Sequence, residues 1–444
     1  MNSNLTTRRR RQSPDTMTQT AKVADRFAPR AIGPTVGWVV FGIAFVIRLG
    51  VGMFRGGLWN PELFEYDWMA RTLIDGQGLV FPHLNVPYHS FAPPLYPWLS
   101  AASYWLSGSL IVLMMLQVVA GSALAVVVAQ IAKRFSASAI ATLAAGLLIA
   151  FHPGLIIYNV AKAHPLTFDA LFFTLAVLQA FRLRERTTVR RAIEFGAIVG
   201  VGTLSRATLI IFLPLVAMWL VWVLRKDSLK LVVRAIVVAG LCATAIVIPW
   251  TIRTSLLHRQ FVFMLTTGPE NFWRGNNPNA TGGAYFAAGQ LELEKLSPAE
   301  LADLRNQRDE IAQANWFTAR SHAFIREHPG EFIRLTVVKL FHFWWVAPQT
   351  GVLYPQPWFL AYLMYYVLAL LLAMIGAWSI WRMGKLPRQQ LLLIAAFLLA
   401  LSVLQSLYYV EGRHRWAVEP ILIAISGVGV ASIANSRHRF ATRT

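Results

Sequence analysis

LIVLMMLQVVAGSALAVVVAQIAKR, residues 110–134, carries no charge before Lys133 and is apolar on every face. A segment of this kind is long enough to cross a hydrocarbon core, which takes about 20 residues. Similar runs lie near 34–54, 137–157, 164–181, 192–205, 207–225, 231–250, 357–381, 389–409 and 417–435, giving about ten spans. The chain has 444 residues, 56% of them hydrophobic and 14% charged, and reads as an all-α polytopic membrane protein. A soluble multidomain protein would need many all-apolar helices without amphipathic partners, and these runs have none.

The formal charge of +20 does not point to nucleic acid. Lys and Arg are concentrated in short segments between apolar runs: KR at 133–134, RLRERTTVRR at 182–191, RKDSLK at 225–230 and RMGKLPR at 382–388. The positive-inside rule assigns these to the cytoplasm. The tail 1–32, with RRRR at 8–11, joins them as a disordered basic segment, and so does the basic tail 437–444. The first apolar run is too long for a cleaved or Tat-type signal and reads as an uncleaved anchor. The two long polar segments, 55–109 and 251–356, fall on the opposite side. Between 251 and 336, nine Lys/Arg balance nine Asp/Glu, as expected where that bias does not act. The lone Cys242 sits in an apolar run and reads as inert.

The first external segment gathers Glu62, Glu65, Asp67 and Asp75 around Arg71. Asn60 and Pro61 suit a helix N-cap and first position, placing Glu62 in a first turn where the macrodipole favours a carboxylate. Glu65 then falls one turn on, beyond that benefit. DGQGL ends the helix, and APPLYPWLSAASYWLSG restarts an aromatic amphipathic one folded back over the membrane. In the second segment Ser297 caps a helix that begins at Pro298 and runs to His328, where HPGEF breaks it. EFIRLTVVKLFHFWWVAP follows as an interfacial helix bearing Arg334, Lys339 and His342, with Trp344 and Trp345 at headgroup level.

One span, an acid-bearing external loop, Ala-Arg, Gly-x-Gly and PPLYPWL, then FHPGLIIYN (151–159), LSRATLIIFLPL (204–215), PWTIRTSL (249–256), NFWRGNNPNATGGAY (271–285) and EGRHRWAVEP (411–420), form an ordered set. This set resembles the GT-C superfamily of polyprenyl-phosphate-sugar-dependent glycosyltransferases, near bacterial members of the protein O-mannosyltransferase and aminoarabinose transferase group. The resemblance implies a GT-C transmembrane domain over 33–436. It also implies inverting transfer of a sugar from an undecaprenyl-type phosphate to an envelope glycan, lipid or protein at the outer face of a bacterial plasma membrane. The general base would be an acid on the first loop, Glu65 or Glu62 with Asp67 third, although the family residue is usually Asp. Arg413, Arg415, Arg253 and Arg206 are candidates for the donor phosphate. Arg206 stands out because both its flanks are apolar. Tyr66, Tyr96, Trp273, Arg274 and Asn276 are candidates for substrate contact, whereas Lys162 and His164 read as surface residues near an outer turn.

No metal or other cofactor is implied: His83 and His89 lack helical zinc spacing. There is no Walker loop, dinucleotide fingerprint or Ser/His/Asp arrangement. The competing classes are a transporter or lipid flippase, which would place ionisable groups near midplane, and an inactive GT-C relative acting as an assembly partner.

Overall fold

The computed structural model describes residues 34–225, 229–283, 292–345 and 356–441. The N-terminal tail, residues 346–355 and the last three residues lie outside these. Among the described residues are eighteen α-helices and one two-stranded hairpin. Eight helices among the described residues are long and apolar enough to span a membrane, giving nine spans if a bent pair is taken as one. The protein is a multi-pass, essentially all-α membrane protein.

The spanning helices are α1 (Pro34–Phe54), α4 (Ile111–Phe135), α7 (Leu166–Glu185), α9 (Phe212–Leu224, with the 3₁₀ turn Ala207–Ile211 before it), α10 (Leu229–His258), α15 (Gln356–Arg382), α16 (Lys385–Ser406) and α18 (Glu419–Ala441). The run 137–157 is not one straight helix. It divides into α5 (Ala139–Ala150) and α6 (Pro153–Val160), bent by 51°. The tenth expected span, 192–205, belongs to α8 (Val189–Ser205), which has 17 residues. At 1.5 Å per residue that is about 25 Å, short of a ~30 Å hydrocarbon core.

The bend is held by side chains that the sequence hides inside apolar runs. Arg48 of α1 is fully buried and donates to the carbonyls of Ile149 and Ala150, at 3.2 and 3.4 Å, and Tyr365 Oη donates to Leu148 O at 2.7 Å. These are carbonyls at the end of α5 that a helix terminus leaves without intrahelical donors. His152 caps the next helix, its Nδ1 accepting from Leu155 N. Small residues bring the spans together elsewhere: a Cβ on Gly376 or Gly429 would lie 2.1 Å from Ile425 O or 2.0 Å from Leu372 O, so α15 and α18 touch through backbone.

Two polar caps complete the structure. The first comprises α2 (Glu65–Ile74), the hairpin β1 (Phe81–His83) and β2 (Val86–Tyr88), and α3 (Leu95–Ser107); the second comprises α11 (Gly268–Arg274), α12 (Pro298–Arg305), α13 (Glu310–Glu327) and α14 (Pro329–Trp344). Ser297 and Glu300 form a reciprocal capping box. The helix expected from Pro298 to His328 breaks at 306–309, where Asp309 accepts from Ala312 N and starts α13. Glu310, 2% exposed, joins the caps by accepting from His89 N and Thr266 Oγ1, at 2.8 and 2.5 Å. His258 Nε2 lies 3.0 Å from Ser90 Oγ and 3.3 Å from Glu310 Oε1. Both partners use the same nitrogen, so this is a structural clamp and lacks the relay of a nucleophilic triad.

Candidate active site

The first loop differs from the capping pattern expected for it. Asn60 and Pro61 do not start a helix, and Glu62 lies in extended backbone. Glu62 N donates to Ala161 O, Ala163 N donates to Glu62 O, and Lys162 Nζ meets the Glu62 carboxylate at 2.5 Å. Gly57 permits this stitch, since a Cβ there would lie 2.4 Å from Val160 O. The helix starts at Glu65, after Phe64, which contributes no side-chain cap. The macrodipole therefore favours the carboxylate of Glu65, not that of Glu62. Asp67, on the first turn with Glu65, pairs with Arg71 at 2.9 Å and accepts from Tyr104 Oη.

Glu65 is half-buried and carries no hydrogen bond or ion pair among the described residues. Its charge acts on the hydroxyls of Tyr66 and Tyr409. Burial pushes Tyr66 well above the usual tyrosine range; Glu65 and Asp169 add to this, and Arg413 and Arg206 oppose it. Burial also pushes the imidazoles of His164 and His414 well below their ordinary range, and both Arg413 and Arg206 push them further down. Glu65, Tyr66, Arg206 and Arg413, read separately from distant motifs, therefore share one electrostatic neighbourhood. Arg274 reaches it through Tyr409, with its guanidinium 5.8 Å from that ring.

Each cation there is seated on an acid. Arg206, in extended backbone between α8 and the 3₁₀ turn, meets Asp169 at 3.3 Å, and Ser205 Oγ donates to the same carboxylate at 2.7 Å. Arg413 meets Glu411 at 2.7 Å, Lys162 meets Glu62, and Arg274 meets Glu270 at 2.7 Å. Glu270 also meets His83 Nε2 at 2.9 Å. Burial raises the Glu270 carboxyl, but Arg274 and His83 outweigh it and hold the group below its usual range. Such pairs fix guanidinium and ammonium groups in place while leaving further donors for an anionic ligand.

The remaining candidates have other tasks. Arg415 is 2% exposed and lies in α17 (Gly412–Trp416). It donates to Phe343 O, Trp345 O and Tyr362 Oη, lies beside Glu419 and stacks on Tyr366, so its expected role at a lipid phosphate is corrected to bundle packing. Arg253 donates to His89 O and stacks on Trp250, tying the first loop to α10. Tyr96 is buried beneath Tyr66 and donates to Gln117 Oε1. Trp273 packs into Trp316 and Phe317, and Asn276 is fully buried with its amide on Phe272 O and Leu407 O. All three are buried. His164, expected at the surface, is buried between Phe64, Tyr66 and Tyr158. The sequence reading passed over Asp169, although an acid inside an apolar run is a functional signal in its own right.

A cavity of about 530 Å³ adjoins this cluster. Glu62, Lys162 and Arg55 give it a charged end, and Tyr158, Trp358 and Trp416 give it an aromatic wall. Among the described residues no group of three or more His, Cys, Asp or Glu is placed to hold a metal ion.

A family model for dolichyl-phosphate-mannose-protein mannosyltransferases matches residues 92–252. Curated proteins give no match to the chain. Among solved structures, ArnT from Cupriavidus metallidurans bound to undecaprenyl phosphate is 14% identical with a TM-score of 0.42, covering 89% of this chain and 78% of that one. The apo state of the same protein is 16% identical with a TM-score of 0.41, covering 89% and 77%. Over residues 92–252, which contain His164, Asp169 and Arg206, the chain is therefore similar to the dolichyl-phosphate-mannose-protein mannosyltransferase family.

Proposed function

We propose that the protein is an inverting glycosyltransferase. It takes a sugar from a polyprenyl phosphate, of undecaprenyl type, and adds it to a hydroxyl or amine of an envelope glycan, lipid or protein at the outer face of a plasma membrane. The observation that carries this reading is the charge pattern of the site: Arg206 and Arg413 act on Tyr66 and Arg413 and Arg274 on Tyr409, each seated on its own acid, and Glu65 lies among them without a cation of its own among the described residues. The family similarity over 92–252 supports the reaction class.

In this reaction Glu65 takes the acceptor proton as the acceptor oxygen or nitrogen bonds to the anomeric carbon. The bond from that carbon to the phosphate oxygen breaks on the opposite face, and its electron pair leaves with the lipid phosphate. Arg206 and Arg413 stabilise the charge that develops there. Asp169 and Glu411 position those two guanidinium groups. The aromatic-walled cavity suits an amphiphile whose polar end reaches Lys162. The exposure of Glu62 to that cavity supports it as the second candidate for the base, but its carboxylate is committed to Lys162.

Purified protein given a panel of labelled sugars on polyprenyl phosphates is expected to release polyprenyl phosphate and label an acceptor. Absence of release from the whole panel, with substrate movement across proteoliposomes instead, would replace this reading with the transporter.

A further inference from the structure

Lys339 is a charged residue that the proposed reaction does not use. It lies on α14, whose outward face shows Ile333, Val337 and Phe341 and whose inward face buries Leu335, Lys339 and Phe343. A lysine among inward residues with 0% exposure requires partners. Its Nζ donates at 2.9 Å to Gly275 O and at 2.9 Å to Asn276 Oδ1. Asn276 passes the link on, its Nδ2 donating at 2.7 Å to Phe272 O and at 2.7 Å to Leu407 O. Gly275 lies against the next two residues of the same strand of chain, where a Cβ would meet Tyr408 O at 2.6 Å and Tyr409 N at 2.8 Å. Val410 N donates to Gly282 O, and a Cβ on Gly282 would lie 3.3 Å from Lys339 Cγ. Three stretches of chain therefore meet here: the ammonium of α14 holds the 275–276 turn, and that stretch, 272–282, holds 407–410.

Arg274 precedes this junction and Tyr409 forms part of it. We propose that Lys339 is a positioning residue, which holds the Gly275–Asn276 turn against Tyr408–Tyr409 and so sets Arg274, Tyr409 and the following Arg413 in register with Glu65. Burial lowers its ammonium to about 7, and a neutral amine still supplies the two donor hydrogens that these contacts use. The inference rests on the proposed sugar transfer for its kinetic arm, whereas its structural arm is independent of that reaction.

The test uses the full chain with Lys339→Met, Asn276→Ala, the double variant and Lys339→Gln. Amide exchange in the wild type should show protection at 272–282 and 407–413, and Lys339→Met should lose it in both segments together. With a polyprenyl-phosphate-sugar donor, Lys339→Met is expected to lower kcat about 10–100-fold, the scale of an ångström-level misplacement, while donor KM stays within about threefold. The double variant should be no slower than the slower single one, because both remove the same contact. Lys339→Gln, which keeps an amide donor, should recover part of kcat. Unchanged protection, full turnover by Lys339→Met, or additive losses would each overturn the proposal, as would failure of both Lys339 variants to fold. If the wild type transfers no sugar, the exchange arm still decides the role of Lys339 while the functional reading falls separately.

Discussion

At the scale of single residues, partners separate the candidates more sharply than position in the sequence does. Glu62 and Asp67 are committed to Lys162 and Arg71, Arg415 is enclosed by Tyr362, Tyr366 and Glu419, and Glu65 stands free of such pairs among the described residues. Replacing Arg206 or Arg413 by Met is expected to lower kcat roughly 10²–10³-fold, the usual loss for one donor aimed at developing charge. Replacing Arg253 by Met should change melting temperature more than kcat, since it braces His89 and Trp250. Steady-state kinetics of the three variants beside thermal melts would check this. Asp169→Asn should imitate a milder Arg206 variant, because it leaves Arg206 present but loosely held. Glu65, Tyr66, Arg206, Arg413 and Arg274 stand out as candidates in the sequence motifs. Their convergence does not, because an ion pair such as Arg206 with Asp169 joins the first turn of α7 to the segment after α8 and leaves no local pattern.

At the scale of elements, apolar length located the spans, and departures from it mark places where side chains replace backbone partners. His152-Pro153 in the run 137–157 marks a helix boundary, but the 51° bend itself is not readable there, because the donors that make it tolerable come from Arg48 and Tyr365 on other helices. Arg48→Met should leave the carbonyl of Ala150 unpaired, at roughly 1–3 kcal/mol for an unsatisfied group, whereas Ile149 O keeps the donor of His152 N. A fall in melting temperature of the detergent-solubilised protein would show it, and an unchanged melt would contradict the role. The first-loop helix begins at Glu65 and not at Pro61, although Asn-Pro is a good start signal. Pairing of Glu62 with the 161–163 turn outcompetes a local cap. Lys339 followed a similar course: its spacing suits an interfacial helix, and tertiary packing turned it inward.

At the scale of the whole molecule, the bundle places its charged cluster at helix ends. Asp169 lies in the first turn of α7 and Arg206 just beyond the end of α8, so these ionisable groups do not lie at midplane as a transport site would require. The proposed orientation puts both polar caps outside. In a Cys242→Ala background, Asn85→Cys and Asn306→Cys should react with an impermeant maleimide in intact cells, and Arg186→Cys and Lys385→Cys should react only after lysis; the reverse pattern would invert the topology. The basic segments are what this side assignment rests on, whereas the sugar and acceptor depend on shapes no motif encodes. The central claim, that Glu65 accepts the acceptor proton, is tested by turnover of a labelled polyprenyl-phosphate sugar with Glu65→Gln and Glu62→Gln side by side. Glu65→Gln should lose about 10²–10⁴-fold in kcat, the range for a positioned general base, and Glu62→Gln less than about tenfold. Full turnover by Glu65→Gln, or the larger loss falling on Glu62→Gln, would contradict it.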